Sequence, residues 1–155
     1  MAFEFKLTRR VEFVETDMAG IMHFSNFFLL MEAAEAAFFR HLGLSLCPQG
    51  SSDGIGWPRV HVECDFKHPL RFEDEVEVHL LVDEKKPKSL TYVFVFRKLN
   101  GSPVLEVARG RVVTVCTARH GSEGTIAAVP IPAAIAEAIE VAPRELLESL
   151  PPLRT

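Results

Sequence analysis

The segment 26–40 constrains the fold more than any other part of the chain. It contains only three charged residues, two glutamates and a final arginine, so a helix built from it is apolar on nearly every side. Such a helix is normally surrounded by protein, and the glutamates interrupt it too often for a membrane span, which requires about 20 predominantly apolar residues. We therefore predict a helix over roughly Ser25 to Leu42, ended by Gly43 as a C-terminal cap and enclosed by the rest of the chain.

Alternating apolar and polar residues predict five strands that could enclose this helix. They cover approximately residues 3–13, 60–66, 76–82, 90–98 and 104–117. The third places Glu75, Glu77 and His79 on its outer side, and the fourth, apolar on both faces, is expected at the centre of the sheet. Asn100-Gly101 predicts a hairpin between the last two strands, and Gly110 predicts a bend or bulge in the fifth.

The order of these elements predicts an α+β fold with a single domain over 1–155. After the helix the four remaining strands are expected in meander-like succession, so that a five-stranded antiparallel sheet rolls around one long central helix. The Ser/Gly-rich residues 51–56 and the residues after His120 are predicted to be loops. Short helices are expected over Pro132–Ile139 and Pro143–Leu150, each with its proline at the first helical position.

Charge and composition indicate which binding partners are unexpected and in which compartment the protein is expected. The formal net charge of −4 argues against general nucleic-acid binding, which favours basic domains. The N-terminal residues lack a basic segment followed by an apolar stretch, so no signal peptide is predicted. Cys47, Cys64 and Cys116 show no paired spacing, which is typical of reduced thiols in a cytoplasmic protein.

The residues at the start of the predicted helix carry the strongest motif. The segment Asp17-Met18-Ala19-Gly20-Ile21, followed by Phe24, Asn26 and Phe27, resembles the hotdog-fold thioesterases of the 4-hydroxybenzoyl-CoA thioesterase type. The resemblance extends over roughly Phe5 to Val115. It implies an acyl-CoA thioester hydrolase that needs no cofactor beyond the coenzyme A of its substrate. It also implies a homodimer or tetramer in which sheets join and active sites lie between protomers.

The resemblance implies that Asp17 attacks the thioester carbonyl or activates water, while the backbone N–H of Phe24 polarises the carbonyl oxygen. This chemistry suits the residues, because the first turn of a helix has unpaired N–H groups and the positive end of the dipole. Gly20 lets the backbone approach a ligand closely. The other reading of Asp17 is a turn residue that hydrogen-bonds its own backbone.

Several further residues are candidates for substrate contact or catalysis. Glu32 lies mid-helix and either faces the site or reaches solvent or a subunit interface, whereas Glu35 is expected to be a solvated or interface charge. The predicted contacts with the acyl group or coenzyme A are His23, Asn26, Phe27, Trp57, Lys86, Lys88 and Ser89. Lys85, Lys86 and Lys88 are either a solvated hairpin tip or a clamp for the phosphates of coenzyme A.

Two other functions remain open on the sequence. The spacing of Asp17 and His23 permits an enoyl-thioester hydratase, although His23 could equally cap the start of the helix. A non-catalytic protein that binds acyl thioesters is the other alternative. His61, Cys64 and His68 do not form a metal site, because His61 and Cys64 point to opposite faces of a strand and a fourth ligand is missing.

Overall fold

The computed structural model describes residues 1–48, 54–120 and 124–154; the loops predicted at 51–53 and directly after His120 therefore fall outside the described residues. Five antiparallel strands form the main sheet, and two further strands, which the sequence did not predict, pair with each other. The strands are β1 (Glu4–Arg10), β2 (Arg59–Phe66), β3 (Glu75–Lys86), β4 (Ser89–Lys98), β5 (Leu105–Val115), β6 (Thr117–His120) and β7 (Thr125–Ala128). The helices are α1 (Ser25–His41), α2 (Ala133–Ala138) and α3 (Arg144–Glu148).

The main sheet has the strand order β1-β3-β4-β5-β2, which confirms the five antiparallel strands and the central position of β4. The predicted meander of four successive strands is wrong for β2, which pairs with β5 at the far edge. Alternation fixes which face of a strand is buried but not which strand lies beside it. Because β2 and β3 are separated in the sheet, the chain between them must cross the end of the sheet, where it passes the start of α1.

Helix α1 packs on one face of the sheet, as its apolar composition requires. Val76, Val78, Leu80 and Val82 of β3 are fully buried on that face. Gly43 has a φ of 72° and the N–H of Leu44 donates to the carbonyl of Phe39, so the predicted C-terminal cap is confirmed. The enclosure is incomplete, because Leu29 keeps 63% of its surface exposed.

Gly110 does not form the predicted bulge, since it pairs in register with both Cys64 and Phe94. A Cβ at this position would lie 2.1 Å from Cε of Met31, so the absence of a side chain lets α1 approach the sheet. The irregularity in β5 lies instead opposite Phe96 and Arg97. Glycine in a strand marks either a bulge or a close approach, and here it is the close approach.

Three smaller expectations also need correction. The first strand ends at Arg10, because Val11 turns into the core and residues 13–15 form a 3-10 turn. His79 lies on the outer face as predicted but is buried there, 2.6 Å from a carboxylate oxygen of Glu4. The two prolines expected at first helical positions are the residues that precede α2 and α3.

Candidate active site

The motif before α1 forms a tight hairpin. Thr16 and Met22 form an antiparallel bridge, and the N–H of Asp17 donates to the carbonyl of Ile21 over 3.0 Å. The three residues between Asp17 and Ile21 end with Gly20 at a φ of 74°. This is the usual pattern of a three-residue hairpin loop, in which the last position needs a left-handed conformation. Gly20 is thus explained by the turn itself.

Asp17 both stabilises this turn and presents a carboxylate oxygen for chemistry. Its Oδ1 accepts the N–H of Ala19 at 2.8 Å, which is the turn role that the sequence offered as an alternative. Within residues 1–48, 54–120 and 124–154, nothing donates a hydrogen bond to Oδ2. The side chain is half-buried. The turn therefore orients the carboxylate without using both of its oxygens.

Asn26 and His23 join the hairpin to the helix. The Asn26 side-chain amide donates to the carbonyl oxygens of Glu15 and His23, at 3.0 and 3.3 Å. Nδ1 of His23 lies 2.8 Å from Oγ of Ser25, and the N–H of His23 donates to Glu15. Both side chains form local bonds that fix the start of α1, and the His23 ring is exposed.

The backbone N–H of Phe24 is available at the start of the helix. The Phe24 carbonyl accepts the N–H of Phe27, but the Phe24 N–H donates to no acceptor in the described part of the chain. Phe24, at the N-cap, has no side-chain cap bond of its own, and Nδ1 of His23 accepts the N–H of Ser25 at 3.4 Å, which is the capping role that the sequence offered for His23. Unpaired N–H groups at a helix start attract negative charge, so this end can stabilise an anionic oxygen.

Asp17 and Phe24 line the same open groove, which spans about 820 Å³ when the solvent at its mouth is included. The facing wall is the segment 66–70, which links β2 to β3 and which the sequence reasoning missed as part of a site. Its Leu70 carbonyl accepts the N–H of Met22 at 2.7 Å. The described lining residues are Asp17, Ile21, Met22, Phe24, Phe27, Phe66, Lys67, His68, Pro69 and Leu70. Only the crossing of this segment past α1 brings it to Asp17, and no local pattern encodes that crossing.

Four of the predicted substrate-contact residues lie elsewhere in the protomer. Trp57 is 5% exposed and packs edge-on against Phe39, with ring centroids 5.8 Å apart, so it belongs to the core near the C-terminal end of α1. Lys86, Lys88 and Ser89 form the tip of the β3–β4 hairpin, where Lys86 is paired with Glu84 at 3.1 Å. Strand β3 separates this tip from the groove by roughly 35 Å of chain.

The expectation that Glu35 is a solvated or interface charge is wrong, whereas Glu32 has the solvent-exposed position that was one of its two expected placements. Glu32 is exposed, whereas Glu35 is 1% exposed and paired with the guanidinium of Arg59. Burial raises the pKa of Glu35 to about 7, against the opposing effect of Arg59. Burial also raises the pKa of the neighbouring Tyr92 hydroxyl. Sequence patterns missed this cluster because its members come from three separate elements.

Comparison with known proteins identifies the family. The family model described as the thioesterase-like superfamily matches residues 11–139. A proposed esterase of Aquifex aeolicus is 34% identical over 90 residues, which are 58% of this chain and 70% of that protein. A 1,4-dihydroxy-2-naphthoyl-CoA hydrolase of Parasynechococcus marenigrum is 34% identical over 82 residues, 48% of this chain and only 54% of that hydrolase.

The fold has a close counterpart among solved structures. A 4-hydroxybenzoyl-CoA thioesterase variant, crystallised with 4-hydroxybenzoyl-CoA, superposes with a TM-score of 0.79 and 23% identity over 90% of this chain and all of that one. In the described residues, no helix has the length and hydrophobicity to cross a bilayer. Within those same ranges, no set of three or more His, Cys, Asp or Glu side chains is placed to hold a metal ion. The family match and the sheet wrapped around α1 confirm the resemblance drawn from the motif: the chain belongs to the thioesterase-like superfamily of hotdog proteins.

Proposed function

We propose that the protein hydrolyses acyl-CoA thioesters, with Asp17 as nucleophile or general base. The observation that carries the proposal is that the Asp17 carboxylate and the unpaired Phe24 N–H line one groove at the positive end of α1. A thioester requires these two groups, one to attack the carbonyl or to activate water and the other to stabilise the oxyanion. The named hydrolase among the relatives adds support.

Either role of Asp17 gives a balanced reaction. As a nucleophile, its carboxylate adds to the carbonyl carbon, the C–S bond breaks, and coenzyme A leaves as a thiolate; water then cleaves the acyl-aspartyl anhydride. As a general base, Asp17 takes a proton from water while the water oxygen adds to the carbonyl, and the same C–S bond breaks. In both cases the Phe24 N–H donates to the oxygen on which negative charge grows.

The wall of the groove indicates an apolar acyl group. Phe27 is edge-on to both Phe66 and Phe96, with ring centroids 5.1 and 5.2 Å apart, and Phe24 is exposed at the rim. Aryl and alkyl groups both fit such a surface. The relative that acts on a dihydroxynaphthoyl thioester favours a hydroxyaryl group, and we propose this as the substrate class to test first.

We further propose that two protomers pair, as the family resemblance implies. Strand β2 is an edge strand of the sheet, and Val60 and Val62 on it are exposed, which is a surface that needs covering. Pairing would also let Lys86 and Lys88 of one protomer bind the phosphates of a coenzyme A thioester that lies in the groove of the other. Sedimentation should show a dimer at micromolar concentration, and a stable monomer there would contradict this assembly.

The decisive experiment measures thiol release from a panel of acyl-CoA thioesters with a thiol reagent. The panel should include benzoyl, hydroxyaryl and straight-chain acyl groups, each tested with the unmodified chain and with Asp17→Asn. Hydrolysis that depends on Asp17 supports the proposal. Binding without hydrolysis by the unmodified chain would favour a non-catalytic thioester-binding protein, in which Asp17 serves the turn alone.

A further inference from the structure

A second pocket opens between α1 and β2, farther along both elements from the groove that contains Asp17, and the two share no lining residue. It has a volume of about 510 Å³, and its apolar walls include Phe28, Met31, Val62 and Phe94. Glu35 and Arg59 also line it. The catalytic scheme proposed above uses none of these six residues.

The walls of this pocket continue those of the groove. Phe28 follows Phe24, and Met31 follows Phe27, by four residues on α1, so each pair shares a face of the helix. Val62 and Phe66 likewise share a face of β2. A thioester whose carbonyl lies at the Phe24 N–H can therefore extend its acyl group along one seam between helix and strand.

The polar end of the pocket has unused hydrogen-bonding capacity. One carboxylate oxygen of Glu35 is held by Arg59. The other, Oε1, and the Tyr92 hydroxyl are both buried, and within the described chain neither makes a hydrogen bond of good geometry, although the two groups lie close enough to influence each other's pKa. Native proteins leave few such buried atoms unpaired, because desolvation without a partner is costly. Since the pKa of Glu35 is about 7, its carboxyl can accept or donate a hydrogen bond near neutral pH.

The distance between Phe24 and Glu35 along this seam determines the length of acyl group that can reach both. Phe24 and Glu35 are eleven positions apart on the helix, about 16 Å along its axis. The Glu35 side chain leans toward the N-terminus and shortens this span by roughly 2–3 Å, to about 14 Å. A hydrogen bond of about 2.8 Å at each end leaves about 8 Å between the two oxygens of the acyl group. A single benzoyl ring with a para hydroxyl is shorter than this span, whereas a fused bicyclic aryl group with a hydroxyl at its far end matches it.

We propose that this pocket receives the distal end of the acyl group and that Glu35 binds a hydroxyl there, which makes Glu35 a specificity determinant for long hydroxyaryl thioesters. The inference rests on the proposed function, because it takes the thioester carbonyl to lie at Phe24. A site that is built to hydrogen-bond a hydroxyl discriminates strongly against the analogue that lacks it, since its own polar atoms would stay unpaired.

The test compares the binding of 6-hydroxy-2-naphthoyl-CoA and 2-naphthoyl-CoA by calorimetry. Asp17→Asn is the background, so that neither thioester is consumed. We expect the hydroxylated thioester to bind on the order of tenfold more tightly, as for one hydrogen bond to a carboxylate. Glu35→Leu should abolish this preference. At pH 8, where the Glu35 carboxyl is ionised because its pKa is about 7, Glu35→Gln keeps the side-chain shape and should lose most of this preference, since a neutral amide is a weaker acceptor than a carboxylate. The exposed Glu145→Gln, on α3, controls for the loss of one charge.

Each outcome decides the proposal. If Glu35→Leu fails to fold, Glu35→Gln carries the comparison. Equal affinity of the two thioesters in the background protein would overturn the proposal. The same holds for a tenfold preference that survives in the Glu35 variants, and for failure to bind either thioester. Thiol release by the unmodified chain is measured separately. If the chain binds the two thioesters with the expected preference but releases no thiol, the proposed function is refuted and the proposed role of the pocket is supported.

Discussion

The start of α1 and its middle each carry a carboxylate, but under opposite conditions. Asp17 is half-buried, and its own hydrogen bonds all involve residues within four positions of it, namely Ala19, Gly20 and Ile21. Glu35 is almost fully buried, and its partner Arg59 is 24 residues away. The comparison shows that a carboxylate oriented by a turn remains accessible for chemistry, whereas a carboxylate inserted into a core is governed by desolvation.

The largest effect should follow from a change at the start of the helix. Asp17→Asn retains the side-chain oxygen that accepts the Ala19 N–H, so the turn and the fold should persist. Loss of the nucleophile or base should reduce turnover on the order of 10³-fold. Steady-state thiol release measures turnover, and circular dichroism with thermal unfolding checks the fold. A variant that keeps half of the activity would move the chemistry away from Asp17, and Glu32 would be the next carboxylate to replace.

Glu35, in the middle of the helix, should instead affect the free energy of unfolding of the protein. The pKa of Glu35 is about 7 in the native chain and near 4.5 in the unfolded chain, so native Glu35 holds a proton that the unfolded chain releases between these pH values. Raising the pH through this window should therefore lower the free energy of unfolding, by about 3 kcal/mol in total. Glu35→Gln should remove this component, and urea unfolding at several pH values measures it.

The comparison with Glu35→Gln needs a control for the loss of one charge. Glu145→Gln provides it, because Glu145 is exposed and does not contribute to the pKa of Glu35, whereas Glu32 does. If the difference in unfolding free energy between Glu35→Gln and the parent is independent of pH between 4.5 and 7, Arg59 offsets the burial of Glu35 completely. Desolvation would then not govern Glu35, and the contrast drawn between Asp17 and Glu35 would be wrong.

The same contrast explains which features the sequence could predict. The turn role that was one of the two readings of Asp17, the cap at Gly43 and the order of strand and helix depend on local patterns, and the structure contains all three. The edge position of β2, the groove wall at 66–70 and the burial of Glu35 depend on which distant segments meet. A glutamate surrounded by alanines on a helix has the same local pattern whether it faces Arg59 or water, so Glu32 and Glu35 could not be distinguished.

The close approach at Gly110 offers a steric test of the middle of the helix. Gly110→Ala would place a methyl group 2.1 Å from Cε of Met31 and 3.3 Å from the carbonyl oxygen of Glu63. Repacking a buried methionine in this way should destabilise the fold by about 1–3 kcal/mol. Gly101→Ala is the matched control, because its nearest neighbour would be 3.7 Å away. Equal unfolding midpoints for the two variants would mean that α1 does not depend on this contact.

The smallest effect is expected in a third region, the exposed tip of the β3–β4 hairpin. Replacing Lys86 and Lys88 together by Ala should raise KM for acyl-CoA thioesters roughly fivefold, as for the loss of two solvent-exposed ionic contacts. The value of kcat should stay nearly unchanged, because phosphates far from the carbonyl interact similarly in the ground and transition states. An N-acetylcysteamine thioester, which lacks the nucleotide, should be unaffected, and replacing the exposed Lys6 and Arg9 together by Ala controls for the loss of two positive charges. Equal losses on both thioesters would assign the hairpin to folding or assembly. No loss on either would leave it a solvated turn, with the phosphates bound elsewhere.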